Sequence, residues 1–151
     1  MAFVYRFEKV LNVKKELLKR TEKDLADAMR RQSEEVQTLN GLLLTDEQSH
    51  EELIRNSQRQ SVRAEQFMQT QHFFDALKNQ ISFQRRRVTK ADELVKVAKL
   101  NLQKAMQAES MFEKDKENRI KEYLSEQLHI EQNLLDEMAQ TIAFRHRNES
   151  D

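Results

Sequence analysis

Residues 74–112 read FDALKNQISFQRRRVTKADELVKVAKLNLQKAMQAESMF, and their spacing decides the fold. Two interleaved sets recur there every seven residues: Phe74, Ile81, Val88, Val95 and Leu102, and Leu77, Gln84, Ala91, Ala98, Ala105 and Phe112. Steps of alternately three and four residues put both sets on one narrow stripe of an α-helix. A strict 3.5-residue repeat between charged neighbours is the signature of a coiled-coil seam. The second set is mostly alanine, and small side chains let a partner helix approach closely. This helix therefore needs a partner.

The partner lies earlier in the same chain. Val4, Leu11, Leu18, Leu25, Gln32 and Leu39 repeat every seven residues. Their companions begin as Phe7, Lys14, Thr21 and Ala28, then read as shifting by one to Met29, Val36 and Leu43, a stutter. The expected fold is all-α, a long antiparallel two-helix coiled coil in a single domain. Its seam is expected to hold Leu11, Leu18, Leu25 and Leu39 against Ile81, Val88, Val95 and Leu102.

The first arm is expected over residues 3–56, the reversal over 56–64, the second arm over 64–146 and a frayed tail over 147–151. Asn40-Gly41 is a turn dipeptide, but Leu39, Leu42 and Leu43 surround it at helical spacing, so it reads as a tolerated kink. The apolar signal is poorest from Asn56 to Ala64, where Asn and Ser compete for backbone hydrogen bonds. Ser61 is a candidate cap for the second helix. Beyond Phe112 the pattern needs another stutter, through Lys116, Ile120 and Leu124. A new register follows through Leu128, Glu131, Leu135, Met138 and Ile142. The last part of the second arm is expected to outrun the first.

Composition agrees. The 151 residues include no proline and one glycine, so the residues that punctuate turns are almost missing. Lys and Arg total 26 and Asp and Glu 26, and this balance argues against a nucleic-acid partner. The absence of cysteine excludes a disulfide scaffold or thiolate site. The opening Met1-Ala2-Phe3-Val4-Tyr5-Arg6 does not read as a signal peptide, and no apolar run approaches a membrane span of about 20 residues. The reading is a cytoplasmic chain without direct membrane insertion.

No catalytic chemistry stands out. His50, His72, His129 and His146 form no tight metal-ligand motif, and a chain with one glycine cannot build a glycine-rich phosphate loop. Without a cleft, no carboxylate is held in a dry pocket. The expectation is no enzyme, no cofactor and no metal. Arg85-Arg86-Arg87 reads first as a solvated face between Gln84 and Val88, and second as a contact for phosphate or an acidic surface. Phe67, Phe73, Phe74 and Phe83 cluster near the reversal, either as packing or as a docking patch. Phe3, Tyr5 and Phe7 are expected to pack against the far end of the second arm.

Three strings carry a resemblance. The opening Phe3-Val4-Tyr5-Arg6-Phe7-Glu8-Lys9-Val10-Leu11, the middle Phe73-Phe74-Asp75-Ala76-Leu77-Lys78-Asn79-Gln80-Ile81 and the ending Glu131-Gln132-Asn133-Leu134-Leu135-Asp136-Glu137-Met138-Ala139 resemble the flagellar export protein FliJ family in order and spacing. The chain departs from it by carrying Asp46 and His50 where tyrosines are usual. The resemblance implies an antiparallel coiled coil similar to a rotary ATPase stalk, in the flagellar type III export apparatus. The implied partners are the export ATPase ring, the membrane export gate protein and export chaperones. The implied location is the cytoplasm, peripheral to the inner face of the cell membrane. On this reading Phe3, Phe7, Met138, Arg145 and Arg147 meet the ATPase, and Leu39, Leu43, Phe73 and Leu77 meet the gate. The alternative is a generic coiled-coil tether or scaffold with no ATPase partner, its arms pairing between chains.

Overall fold

The computed structural model describes residues 2–59 and 63–150. They form two helices, α1 over Glu8–Arg59 and α2 over Ala64–Ser150, with no strand among the described residues. The chain is all-α. Contacts group it into two units: one of residues 1–17 and 106–151, the other of residues 18–105.

In the second unit the helices run antiparallel, since contacts step up one helix as they step down the other. Gln32 reaches Asp92 at 2.6 Å, Gln84 donates to the Glu35 carbonyl oxygen at 2.9 Å, and the His50 ring lies on Phe74 with centroids 4.2 Å apart. Leu77, Gln84, Ala91, Val95, Ala98 and Ala105 are buried along α2. Phe74, Ile81, Val88 and Leu102 are half-buried beside them. On α1, Leu18, Leu25 and Leu39 are half-buried and face this seam.

The first arm's second row differs from its reading in sequence. Met29 is 49% exposed, whereas Thr21 is buried and Ala28, Glu35, Leu42 and Ser49 are half-buried. The unshifted seven-residue period of α1 therefore runs on, beside Val36 and Leu43 of the shifted row, which are half-buried as well. It looked broken because several of its members are polar. Glu35 tolerates its place because Gln84 donates to its backbone and carboxylate and Arg87 donates to it at 3.0 Å. A buried polar group that keeps its partners is not a defect.

In the other unit the chain before Glu8 is not helical. Val4, read as the first member of the leucine row, is 83% exposed. Tyr5 is buried instead, and the Glu8 amide donates to the Tyr5 carbonyl at 3.3 Å as α1 begins. Leu11 is fully buried, the only large side chain to be so among the described residues. On α2 the period continues through half-buried Glu109, Lys116 and Tyr123, while Leu124 is 59% exposed. The stutter read beyond Phe112 holds through half-buried Lys116 and Ile120, with Arg119 exposed, and stops short of Leu124.

The helix bounds also shift the expected boundaries. α1 continues past residue 56 to Arg59, and α2 continues through the stretch read as a tail, ending at Ser150. Neither stretch holds a proline or glycine to stop a helix, and Arg147 in the last turn favours the negative end of the helix dipole. Ser61 lies outside the described residues. Gly41 sits inside α1 without a positive φ.

Candidate functional site: partner-facing surfaces

The described residues hold no group of three or more His, Cys, Asp or Glu arranged for a metal ion. No helix among them is long and apolar enough to cross a membrane. What the fold offers is three groups of side chains, one closed on itself and two left exposed.

The first is an aromatic clasp. The Tyr5 hydroxyl donates to Asp115 at 2.6 Å and lies 3.4 Å from the Phe112 carbonyl oxygen. Phe7 packs edge-on against both Tyr5 and Phe112, and Phe3 lies against Tyr123 at 5.5 Å. Arg6 and Arg119 approach the Phe7 ring at 5.5 and 5.8 Å, a cation–π arrangement. Glu8 pairs with Lys116 at 3.0 Å and Lys15 with Glu113 at 2.9 Å. Burial, then the hydrogen bond to Asp115 and its negative charge, pushes the Tyr5 phenol up to about 12. The same hydrogen bond holds the Asp115 carboxyl below its usual range, and Lys15 does this for Glu113. Phe3 and Phe7 therefore spend much of their surface against α2, at Phe112 to Tyr123 rather than at its C-terminal end.

The second is the part of α2 beyond the clasp. Every residue from 124 to 150 is exposed. Leu124, Leu128, Leu135, Met138 and Ile142 keep seam-like spacing on one face, each 55–65% exposed, and nothing among the described residues covers them. Residues 122–144 hold Glu122, Glu126, Glu131, Asp136 and Glu137 and no Lys or Arg, and Arg145 and Arg147 follow. An apolar stripe of this length on a helix marks an interaction surface.

The third lies near the ends of α1 and α2 around residues 49–74. Phe67, Met68 and Phe73 are 63%, 60% and 48% exposed. Ser49, Leu53, Thr70 and Phe74 line a shallow hollow beside Phe73. His50 fixes one wall, stacked on Phe74 and 3.3 Å from Asp46. Of the four residues expected to meet the gate, only Phe73 is well exposed. Leu39 and Leu43 are half-buried several turns before the end of α1, and Leu77, 5% exposed, belongs to the seam. The heptad position of Leu77 already excluded it from the surface. The stacking of His50 on Phe74 is not legible in sequence, because a lone histidine carries no signal of its ring partner.

Two long helices packed on a seven-residue seam define a helical coiled-coil protein. The profile of the flagellar FliJ protein family matches residues 3–148, and the chain belongs to that family, a component of the flagellar type III export apparatus. Among solved structures, CT670 of Chlamydia trachomatis, described as a YscO homologue, is similar in fold at 22% sequence identity and a TM-score of 0.58. The similarity covers 97% of this chain and 99% of that one. No curated protein sequence matches the chain.

Proposed function

We propose that this protein is a non-enzymatic cytoplasmic coupling element. It joins the export ATPase ring to the membrane export gate and receives export chaperones, peripheral to the inner face of the cell membrane. The observation that carries the reading is the seam-spaced stripe from Leu124 to Ile142, left exposed on a helix that continues beyond its packing partner. Such a stripe is half of an interface. A ring of subunits with a narrow lumen is a fitting other half, since it surrounds one helix on all sides. On this reading Arg145 and Arg147, beyond the acidic stretch, meet acidic loops there and act mainly on association rate and salt dependence.

The exposed aromatics of the unit of residues 18–105, Phe67 and Phe73, are the surface proposed for the gate. Two variants separate the assignments. Removing residues 124–151 is expected to abolish capture of the cognate export ATPase and to spare capture of the gate's cytoplasmic domain. Phe67→Ala with Phe73→Ala is expected to do the reverse, with helicity unchanged. Equal weakening of both partners by both variants sinks the division.

A further inference from the structure

Within the unit of residues 18–105, one side of the seam is hollow. Ala91 and Ala98 are small and buried, and the space they leave opens as a groove between α1 and α2. Its two stretches share Arg31, Ala91 and Leu94, so they form one continuous trough. The stretch beside Phe83 encloses about 670 Å³, room for several side chains. From Arg86 to Asn101 the trough runs about 22 Å at the helical rise, or about four turns.

Its chemistry is graded. At one end stand Arg86, Arg87 and Lys90 with one carboxylate, Glu35, and Arg31 follows where the two stretches meet. Arg87 is engaged by Glu35, whereas Arg31, Arg86 and Lys90 have no carboxylate partner among the described residues. Arg86 and Arg87 lie 5.9 and 5.8 Å from the centre of the Phe83 ring, which keeps both guanidiniums beside the groove. Apolar surface follows, with Phe83, Leu94 and Val97 55%, 48% and 53% exposed. At the far end the lining turns acidic at Asp24 and Asp27, with Arg30 3.9 Å from Asp27.

We propose that this groove binds one amphipathic helix of a partner protein. The helix is acidic over the turns facing Arg31, Arg86 and Lys90, and it seats large apolar side chains over Ala91 between Phe83 and Leu94. The charge gradient sets the register, because Asp24 and Asp27 repel further acid and accept a basic residue. A nucleic acid fits less well. Its phosphates continue without change of sign, and the apolar floor and the two aspartates give them nothing.

The test uses the full chain and two labelled 18-residue helical peptides with one leucine-rich face. One carries Glu in its first two turns and Lys in its last. The other has every Glu replaced by Lys. The first is expected to bind at least tenfold more tightly by fluorescence anisotropy. Its amide-exchange footprint is expected over residues 83–101. Arg86→Glu with Lys90→Glu is expected to reverse the preference. Arg86→Gln with Lys90→Gln, milder on any fold, is expected to abolish it. Replacing the peptide's leucines by serine is expected to abolish binding as well. Equal binding of the two peptides overturns the proposal. So does a labelled 20-nucleotide strand whose binding is lost in the double glutamate variant, which makes the groove a nucleic-acid site. Concentration-dependent self-association of the protein alone, lost in that variant, also overturns it, because the occupant is then a second copy.

Discussion

Tyr5 and Asp115 show how one pair fixes the entry of the chain onto the helices. They lie 110 residues apart, and their 2.6 Å bond ties the residues before α1 to α2. The signs of the shifts give a pH dependence. The Tyr5 pKa is raised from 10.0 to about 12, so the folded chain keeps a proton that the unfolded chain has lost between those values. Stability from this group is whole below pH 10 and disappears as pH rises towards 12. Lys15, raised by its hydrogen bond to Glu113, adds a loss of the same sign. The Asp115, Glu113 and Glu35 carboxyls are lowered, first by Tyr5, Lys15 and Gln84 respectively. Their contribution is whole above the ordinary carboxylate range and falls as pH drops through their depressed values. Tyr5→Phe is expected to lower the melting temperature at pH 8 and to flatten the loss between pH 10 and 12 relative to wild type. It also removes part of the acid sensitivity carried by Asp115. Parallel melting-temperature curves for both proteins across the alkaline range contradict the assignment.

At the scale of the helices, the seam of α2 was readable because its members from Phe74 to Phe112 are apolar or alanine except for Gln84. The seam of α1 was only half readable. Thr21, Glu35 and Ser49 keep the period, but polar residues at seam positions look like a break until their partners on α2 are known. Only the fold reveals that Gln84 stands opposite Glu35. The stripe from Leu124 to Ile142 was equally visible. However, a period identifies a face and not what covers it, so it could not be told from a seam. Leu11→Ala is expected to cost about 2–5 kcal/mol, since Leu11 is fully buried, and chemical denaturation reads that loss directly. Gly41→Ala has the opposite sign. Gly41 is helical, and a Cβ built there meets nothing within 4 Å, so alanine restores helix propensity without a clash. The expected gain is about 1 kcal/mol, seen as a higher denaturant midpoint at constant slope. A loss on Gly41→Ala means that the glycine serves a bend the chain needs.

For the chain as a whole, the decisive question is whether residues 124–150 contribute to folding or only to binding. They span about 40 Å of helix at 1.5 Å per residue, and every one of them is exposed. Isolated helices are marginal in water, because most helical stability in proteins comes from a packed apolar face. This stretch therefore gives little to the core and receives little from it. Removing residues 124–151 is expected to change unfolding stability by no more than about 0.5 kcal/mol, the ordinary range for surface changes. Helicity per residue in the remaining chain is expected to stay the same or rise. In the intact protein, amide exchange is expected to be fast across 124–150 and slowest around Leu11 and the stretch from Leu77 to Ala105, where the buried side chains lie. The cognate ATPase, added in excess, is expected to slow exchange across Leu124 to Ile142 and leave the slow amides unaltered. If the truncation instead lowers stability by several kcal/mol, or if 124–150 is protected in the protein alone, the stripe packs within the chain or against another copy. It is then not the free half of an interface.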